Sequence, residues 1–242
     1  MAPEVRARVF ASPDELPRDA DLISGHISDG FLRHAYPAAQ FVTVLREPRA
    51  RLLSLWGFCR TLSDDGLAPW GDWAARVRRA REPLGVFLRD RALAAITDNV
   101  AVRMLLAPHP LIPADDLIAR DAAAALVDAA LARLATYAFV DVVENPAGAD
   151  NLARWIGAAL DLPRLNVTPA MPATLRATLD RELDAATFEA MAERCRLDVA
   201  LWRAIVVTRM SATHPGPLAD AVFAETLARH RALHQESTRQ TG

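Results

Sequence analysis

The order of hydrophobic and polar side chains along this chain follows two different periods. Two short runs, at 40–45 and 137–143, are rich in β-branched and aromatic residues, which is typical of buried strands. Elsewhere, apolar residues recur three and four positions apart, as they do from Leu52 to Cys59, and this spacing predicts helices with one buried face. The pattern therefore predicts a few short strands among many helices.

The helical spacing covers most of the chain outside the two strands. The first clear helix is expected to begin at Pro48, because proline is well tolerated at the first helical position, and to end near Leu62. Asp98 is expected to cap a later helix. The further helices predicted by the spacing cover 71–81, 83–95, 98–106, 113–135, 146–160, 183–210 and 217–234.

Strands separated by helices predict an α/β fold with a parallel sheet. We expect a small sheet of about three or four strands surrounded by many helices, with 5–10 as a further short strand. A length of 242 residues suits one large domain, which we place at 1–235, followed by a disordered polar tail at 236–242. Ligands of such folds bind beyond the carboxyl ends of the strands.

The composition is typical of a globular protein, with 52% hydrophobic and 24% charged residues. A formal net charge of −2 gives no reason to expect nucleic acid or an anionic membrane as a partner. All 28 basic residues are arginines, so any mechanism that needs a lysine ammonium is excluded. An anion site in this chain must be local and built from a few arginines and backbone N–H groups.

Cys59 and Cys195 lie far apart and within helical patterns, so we interpret both as buried apolar side chains. No cluster of side chains has the spacing of metal ligands. The sequence shows no signal peptide, and no apolar run approaches the roughly 20 residues of a membrane span. We therefore expect a reduced, cytoplasmic protein.

The segment 41–58 carries the clearest candidate chemistry. The pattern predicts a strand, a turn that bears Arg46, and a helix with Ser54 nearly two turns in. A helix N-terminus favours anions, an arginine at the strand end adds a fork for phosphate oxygens, and a serine adds a hydroxyl donor. The alternative interpretation is an ordinary capped helix with solvated arginines.

The string V-L-R-x-P-x-x-R-x-x-S at 44–54 resembles the 3′-phosphate-binding segment of sulfotransferases that use 3′-phosphoadenosine-5′-phosphosulfate. The resemblance implies that Arg46 and Ser54 bind the 3′-phosphate of this co-substrate, and that Arg51 supports the structure. Later segments are similar to family elements in the same order, at 97–105, 139–144 and 165–169.

Upstream, the segment 23–26 resembles the Gly-His segment of the uronyl and heparan 2-O-sulfotransferases, in which the histidine is the proposed base. The resemblance implies that His26 is the catalytic residue. An imidazole with an ordinary pKa near 6.5 suits the removal of a proton from a hydroxyl near neutral pH.

The resemblance implies a P-loop-NTPase-like sulfotransferase fold, shortened at its N-terminus, that moves a sulfuryl group to a hydroxyl of a carbohydrate or small metabolite. The family's phosphosulfate-binding loop has no match before His26. Three interpretations stay open: an upstream start that carries the loop, a relative that binds without turnover, or an enzyme that borrows charge from other arginines such as Arg103 or from a partner subunit. The rival to the enzyme is therefore a non-catalytic binding or interaction protein of the same fold.

Overall fold

A computed structural model describes residues 16–17, 21–23, 25–67, 71, 73–159, 179–211 and 213–235. The expected strand at 5–10, the segment at 165–169 and the tail at 236–242 lie outside the described residues, as does Ser24 within the segment 23–26.

The described part of the chain consists mainly of helices around two short strands, β1 (Val42–Leu45) and β2 (Phe139–Val142). The helices, in chain order, are α1 (Asp29–Ala35), α2 (Pro48–Thr61), α3 (Asp64–Leu67), α4 (Trp73–Arg79), α5 (Leu84–Arg89), α6 (Ala94–Thr97), α7 (Val100–Leu106), α8 (Ala123–Leu134), α9 (Gly148–Ile156), α10 (Leu179–Glu182), α11 (Ala185–Met210) and α12 (Pro215–Gln235).

The two strands pair in parallel, with Val42 opposite Phe139 and Leu45 opposite Val142. A parallel pair needs a long crossover connection, which here contains α2 to α8. The predicted α/β class with a parallel sheet is confirmed at this level. Within the described residues the sheet has two strands, whereas about three or four were expected.

The helix predicted to begin at Pro48 is confirmed and ends at Thr61. The residue before it, Glu47, caps the helix, because its side chain accepts a hydrogen bond from the backbone N–H of Ala50 at 2.7 Å. The long helices expected at 183–210 and 217–234 are also present, as α11 and α12.

The expectation that Asp98 caps the next helix is wrong. Its carboxylate instead forms a buried ion pair with Arg103 at 2.7 Å and accepts the N–H of Ile118 at 2.9 Å. The N-terminus of α7 is capped from α11, since Asp198 accepts the N–H groups of Ala101 and Val102, both at 3.0 Å.

The long helix predicted at 113–135 is also wrong in its first half, because α8 begins only at Ala123. The preceding backbone is bound by side chains rather than by helical hydrogen bonds. The Arg103 guanidinium donates to the carbonyls of Pro113 and Asp116. These tertiary contacts override the helical propensity of an alanine-rich sequence.

α11 is the central helix of the described structure and contacts α2, α5, α7, α8, α12 and β2. Its buried side chains belong to three apolar clusters, which include Met191 against α2 and α5, Leu201 against α7 and α8, and Trp202 against β2. Burial of one such large side chain contributes about 1.5–3 kcal/mol. Both cysteines are buried and unbonded to each other, as the sequence predicted.

None of the helices in the described ranges is long and apolar enough to cross a lipid bilayer.

Candidate functional site

Arg46 occupies the turn between β1 and α2, at the carboxyl edge of the sheet. Its side chain is half-buried, and within the described residues its guanidinium forms no hydrogen bond or ion pair. Burial lowers the pKa of Arg46, and the positive charges of Arg229 and Arg51 lower it further, whereas Glu144 and Glu47 oppose this effect. Such an arginine is a candidate ligand for an anion, because a desolvated guanidinium is stabilised by a charged acceptor.

The N-terminus of α2 itself does not offer the free N–H groups that the sequence suggested for an anion. The Glu47 carboxylate already accepts the N–H of Ala50, and Glu144 accepts the N–H of Glu47 at 2.8 Å. Two carboxylates therefore occupy this helix end. An anion near Arg46 would be held by side chains rather than by the helix terminus.

Glu144 also links the end of β2 to α11. Its second carboxylate oxygen accepts the indole N–H of Trp202 at 3.0 Å. This side chain thus fixes the turn after β1 and the middle of α11 relative to one another. On the other side of Arg46, the carbonyl of Leu45 accepts the N–H of Val143 at 2.7 Å, so the backbone is held on both sides of the arginine.

Ser54 lies at the end of the second turn of α2 and is half-buried. Seven residues separate it from Glu47, which places it about 10 Å farther along the helix axis. The described residues give it no hydrogen bond, so its hydroxyl is available as a donor. Arg46 and Ser54 can share a ligand only if the arginine side chain extends along α2.

Arg51, to which the resemblance assigns structural support, lies on the first turn of α2. Its guanidinium approaches the carbonyl of Ile96 at 3.5 Å. Its charge also lowers the pKa of Asp198 on α11, although burial raises that pKa overall. Arg51 therefore faces the contact between α2 and α11.

α12 lies beside α2 and runs in the same direction. At the beginning of α2, the Arg49 guanidinium donates to Asp220 at 3.0 Å and lies over the ring of Phe223 at 5.0 Å. Two turns later, the His230 ring lies against Gly57, where an added Cβ would be 2.3 Å from its Cε1 atom. Only glycine permits this approach of the two helices.

His26 lies in the exposed segment that precedes α1. The adjacent helix is fixed through the buried carboxylate of Asp29, which accepts hydrogen bonds from the Tyr137 hydroxyl at 3.0 Å and from Arg133 at 2.8 Å. Both partners come before β2 in the chain. The first turn of α1 is therefore anchored at the amino edge of the sheet.

The three predicted site residues are thus not joined in the described structure. Arg46 lies at the carboxyl edge of the sheet, and four strand residues at about 3.3 Å each put the two edges about 13 Å apart. Among the described residues, no hydrogen bond or ion pair connects His26 to Arg46 or Ser54. The catalytic role of His26 stays a prediction.

Arg103 is not available to a substrate, which removes it as a source of borrowed charge. It is buried, and its guanidinium donates to the carboxylate and carbonyl of Asp98 and to the carbonyls of Pro113 and Asp116. These hydrogen bonds join α7 to the backbone before it and to the segment that precedes α8. The expectation that Arg103 could supply charge to a reaction is therefore wrong.

The sequence did not single out Arg229 or Glu144, whose charges act on Arg46. Arg229 lies within the helix predicted at 217–234, and no local motif indicates that this helix packs against α2. Glu144 falls only within the segment 139–144, which resembles a family element. The sequence predicts α12 as a helix, but not its partner.

The described residues contain no group of three or more histidine, cysteine or acidic side chains that could hold a metal ion. In the ranges that the structure describes, the fold is an α-rich α/β arrangement with a two-stranded parallel sheet and Arg46 at its carboxyl edge. Comparisons with models of protein families, with curated proteins and with solved structures find no match.

Proposed function

We propose that this chain is a sulfotransferase-like protein that binds 3′-phosphoadenosine-5′-phosphosulfate, with Arg46 and Ser54 as ligands of the 3′-phosphate. The observation that carries this proposal is the half-buried Arg46 guanidinium, which has no hydrogen bond or ion pair within the described residues. Its place beyond a parallel strand is where α/β folds bind ligands. A phosphate would supply the charged acceptor that the arginine lacks.

In the proposed reaction, the acceptor is a hydroxyl of a carbohydrate or small metabolite. Its oxygen bonds to sulfur while the bond between sulfur and the 5′-phosphate oxygen breaks, which leaves a sulfate ester and 3′,5′-adenosine bisphosphate. His26 accepts the hydroxyl proton. A positioned base contributes roughly 10² to 10⁴ in rate, and Arg46 and Ser54 orient the co-substrate without touching the reacting atoms.

A second candidate function is nucleotide binding without transfer. The observation that favours it is the position of His26, which is exposed and precedes a helix anchored at the amino edge of the sheet. In this case the chain recognises the 3′-phosphate through Arg46 and acts as a binding or interaction protein.

The first experiment is a calorimetric titration of the purified chain with 3′,5′-adenosine bisphosphate. We expect micromolar binding that Arg46→Ala weakens by about tenfold to a hundredfold, since a charge-assisted hydrogen bond contributes about 1.5–3 kcal/mol. Arg120→Ala is the matched control, because within the described structure the guanidinium of this exposed arginine pairs with the side chain of Glu193 in the first half of α11, and not with a residue of the candidate site. Equal affinity of Arg46→Ala and the parent would refute the proposal.

A transfer assay with labelled co-substrate and a panel of sugars, lipids and phenols separates the two candidates. The enzyme requires product formation that His26→Ala reduces at least a hundredfold without weakening binding of the bisphosphate. Tight binding without product from any acceptor would instead support the binding protein.

A further inference from the structure

The geometry of the pair formed by α2 and α12 shows which residues share one side of it. Each helical residue advances by 100° around the axis. On α2, Gly57 faces α12, and Arg49 and Ser54 then lie on opposite flanks of that contact. Arg49 marks the flank that binds Asp220. Ser54 therefore lies on the other flank.

The same construction on α12 places Arg229 on the flank opposite to Asp220. Around the axis of α12, Asp220 and Phe223 lie to one side of His230. Arg229 lies about 100° from His230 to the opposite side. Because the two helices run in the same direction, Arg229 and Ser54 are on one and the same flank of the pair.

Their positions along the axes also agree. Gly57 and His230 are level, so Ser54 is about 4.5 Å and Arg229 about 1.5 Å before that level. The two residues thus differ by about 3 Å in height across a helix pair whose axes are typically 8–10 Å apart.

Arg46 lies in the turn that leads into α2, the helix that bears Ser54. Among the neighbouring positive charges that lower the pKa of Arg46, that of Arg229 acts most strongly, so Arg229 is one of the charged neighbours of Arg46. The other charged groups near Arg46 are Arg51, Glu47 and Glu144. Glu47 pairs with Arg49 at 2.7 Å, and Glu144 accepts the N–H groups of Glu47 and Trp202. Among the described residues, neither carboxylate forms an ion pair with Arg46 or Arg229.

We propose that Arg229 of α12 is a third ligand of the phosphate bound by Arg46 and Ser54, and that this pair of arginines selects a terminal phosphate monoester. This inference rests on the proposed function. A monoester dianion matches two guanidinium groups, whereas a phosphodiester carries a single charge. Recognition of the co-substrate therefore depends on the docking of α12 as well as on the segment after β1.

Glu225 is the competitor for Arg229. Its carboxylate lies one turn earlier on α12, at 3.7 Å from the guanidinium, and both side chains are largely exposed. Exposed pairs of this kind contribute little and are easily exchanged. A phosphate that is also held by Arg46 can displace this carboxylate.

The test is a pair of titrations, with 3′,5′-adenosine bisphosphate and with adenosine 5′-phosphosulfate, which has no terminal phosphate monoester, on the parent, Arg229→Ala and the control Arg120→Ala. We expect Arg229→Ala to weaken the bisphosphate about tenfold, as for loss of one charge-assisted contact, and to leave binding of the phosphosulfate unchanged. Arg46→Ala combined with Arg229→Ala should lose less than the product of the two single effects, because both arginines bind one phosphate.

Glu225→Gln should have the opposite effect on affinity. Removal of the competing carboxylate should tighten binding of the bisphosphate by a few-fold. If Arg46→Ala weakens binding but Arg229→Ala and Glu225→Gln do not change it, the inference is refuted while the proposed function stands. If the parent binds no bisphosphate, the proposed function fails. Thermal stabilisation by inorganic phosphate then decides the inference, which predicts stabilisation that either arginine variant abolishes.

Discussion

The imidazole of His230 lies directly against Gly57, so that a Cβ added at residue 57 would be 2.3 Å from Cε1 and 2.8 Å from Nδ1 of the ring. A buried helical glycine at this position lets α12 approach α2 closely. The same approach sets the height of Arg229 relative to Ser54. One missing side chain in α2 is therefore linked to the geometry of the candidate phosphate site.

The first prediction is that Gly57→Ala lowers the free energy of unfolding. In most helix interiors alanine stabilises by about 1 kcal/mol over glycine. Here we expect a net loss of about 1–3 kcal/mol, because overpacking displaces His230 and α12. Urea unfolding monitored by circular dichroism measures this change.

Gly148→Ala is the control for that prediction. A Cβ at residue 148 would meet its nearest neighbour, the carbonyl of Val142, at an ordinary 3.6 Å. We expect an unchanged or slightly raised free energy of unfolding for this variant. A stabilised Gly57→Ala protein would show that the contact between α2 and α12 is looser than described.

The second prediction concerns the cap that α11 supplies to α7. Asp198→Ala leaves the N–H groups of Ala101 and Val102 without their acceptor, and Val102 is fully buried. We expect a loss of about 2 kcal/mol in the free energy of unfolding. Asp198→Asn keeps one acceptor oxygen and should recover part of this loss. Equal stability of all three proteins would contradict the capping role.

This cap shows where reasoning from the sequence succeeds and where it fails. The strands, α2, α11 and α12 follow from local periodicity and the proline at position 48, so they could be predicted. The cap of α7 could not, because its acceptor is 97 residues away from Ala101. Asp98 lies next to the helix and has the right chemistry, but its carboxylate binds Arg103 instead.

The residues of the candidate site also fall into those that the sequence could identify and those that it could not. Arg46 and Ser54 lie in one local segment, so a string of residues could identify them. Arg229 is 183 positions from Arg46, and only the tertiary contact of α12 with α2 brings it near. A single sequence predicts that α12 is a helix, but not which helix packs against it.

The third prediction separates structural from functional arginines. Arg103→Met leaves the Asp98 carboxylate buried without its cation, and we expect a loss of about 3–5 kcal/mol in the free energy of unfolding. Because Arg103 does not face the candidate site, the folded variant should bind 3′,5′-adenosine bisphosphate as tightly as the parent. Thermal unfolding and calorimetry in a stabilising buffer measure both quantities. If a fully folded variant binds the bisphosphate more weakly, Arg103 takes part in the site and the prediction is wrong.

The last prediction concerns the two buried thiols. Burial raises the pKa of Cys59 to about 11, and it raises the pKa of Cys195 as well. Both thiols are therefore protonated and shielded in the folded protein at neutral pH. We expect neither to react with a thiol reagent in buffer at pH 8, and both to react once the chain is unfolded in urea.

The raised pKa of Cys59 also makes stability depend on alkaline pH. Below the unfolded pKa of about 8.5 the thiol is protonated in both states, so its full contribution is present. As the pH rises from there towards the folded pKa of about 11, only the unfolded chain ionises, and the free energy of unfolding falls. By pH 10 we expect a loss of about 2 kcal/mol from this residue.

Tyr137 also lowers the free energy of unfolding as the pH rises, because burial and the neighbouring Asp29 raise its pKa too. The measurement is therefore a comparison of slopes. Urea unfolding of the parent and of Cys59→Ala between pH 7 and pH 10 isolates the cysteine, since the tyrosine is common to both proteins. The variant starts from a lower free energy of unfolding, because it loses buried sulfur, but it should decline less steeply with pH. Parallel slopes would show that Cys59 ionises as readily in the folded protein as in the unfolded chain.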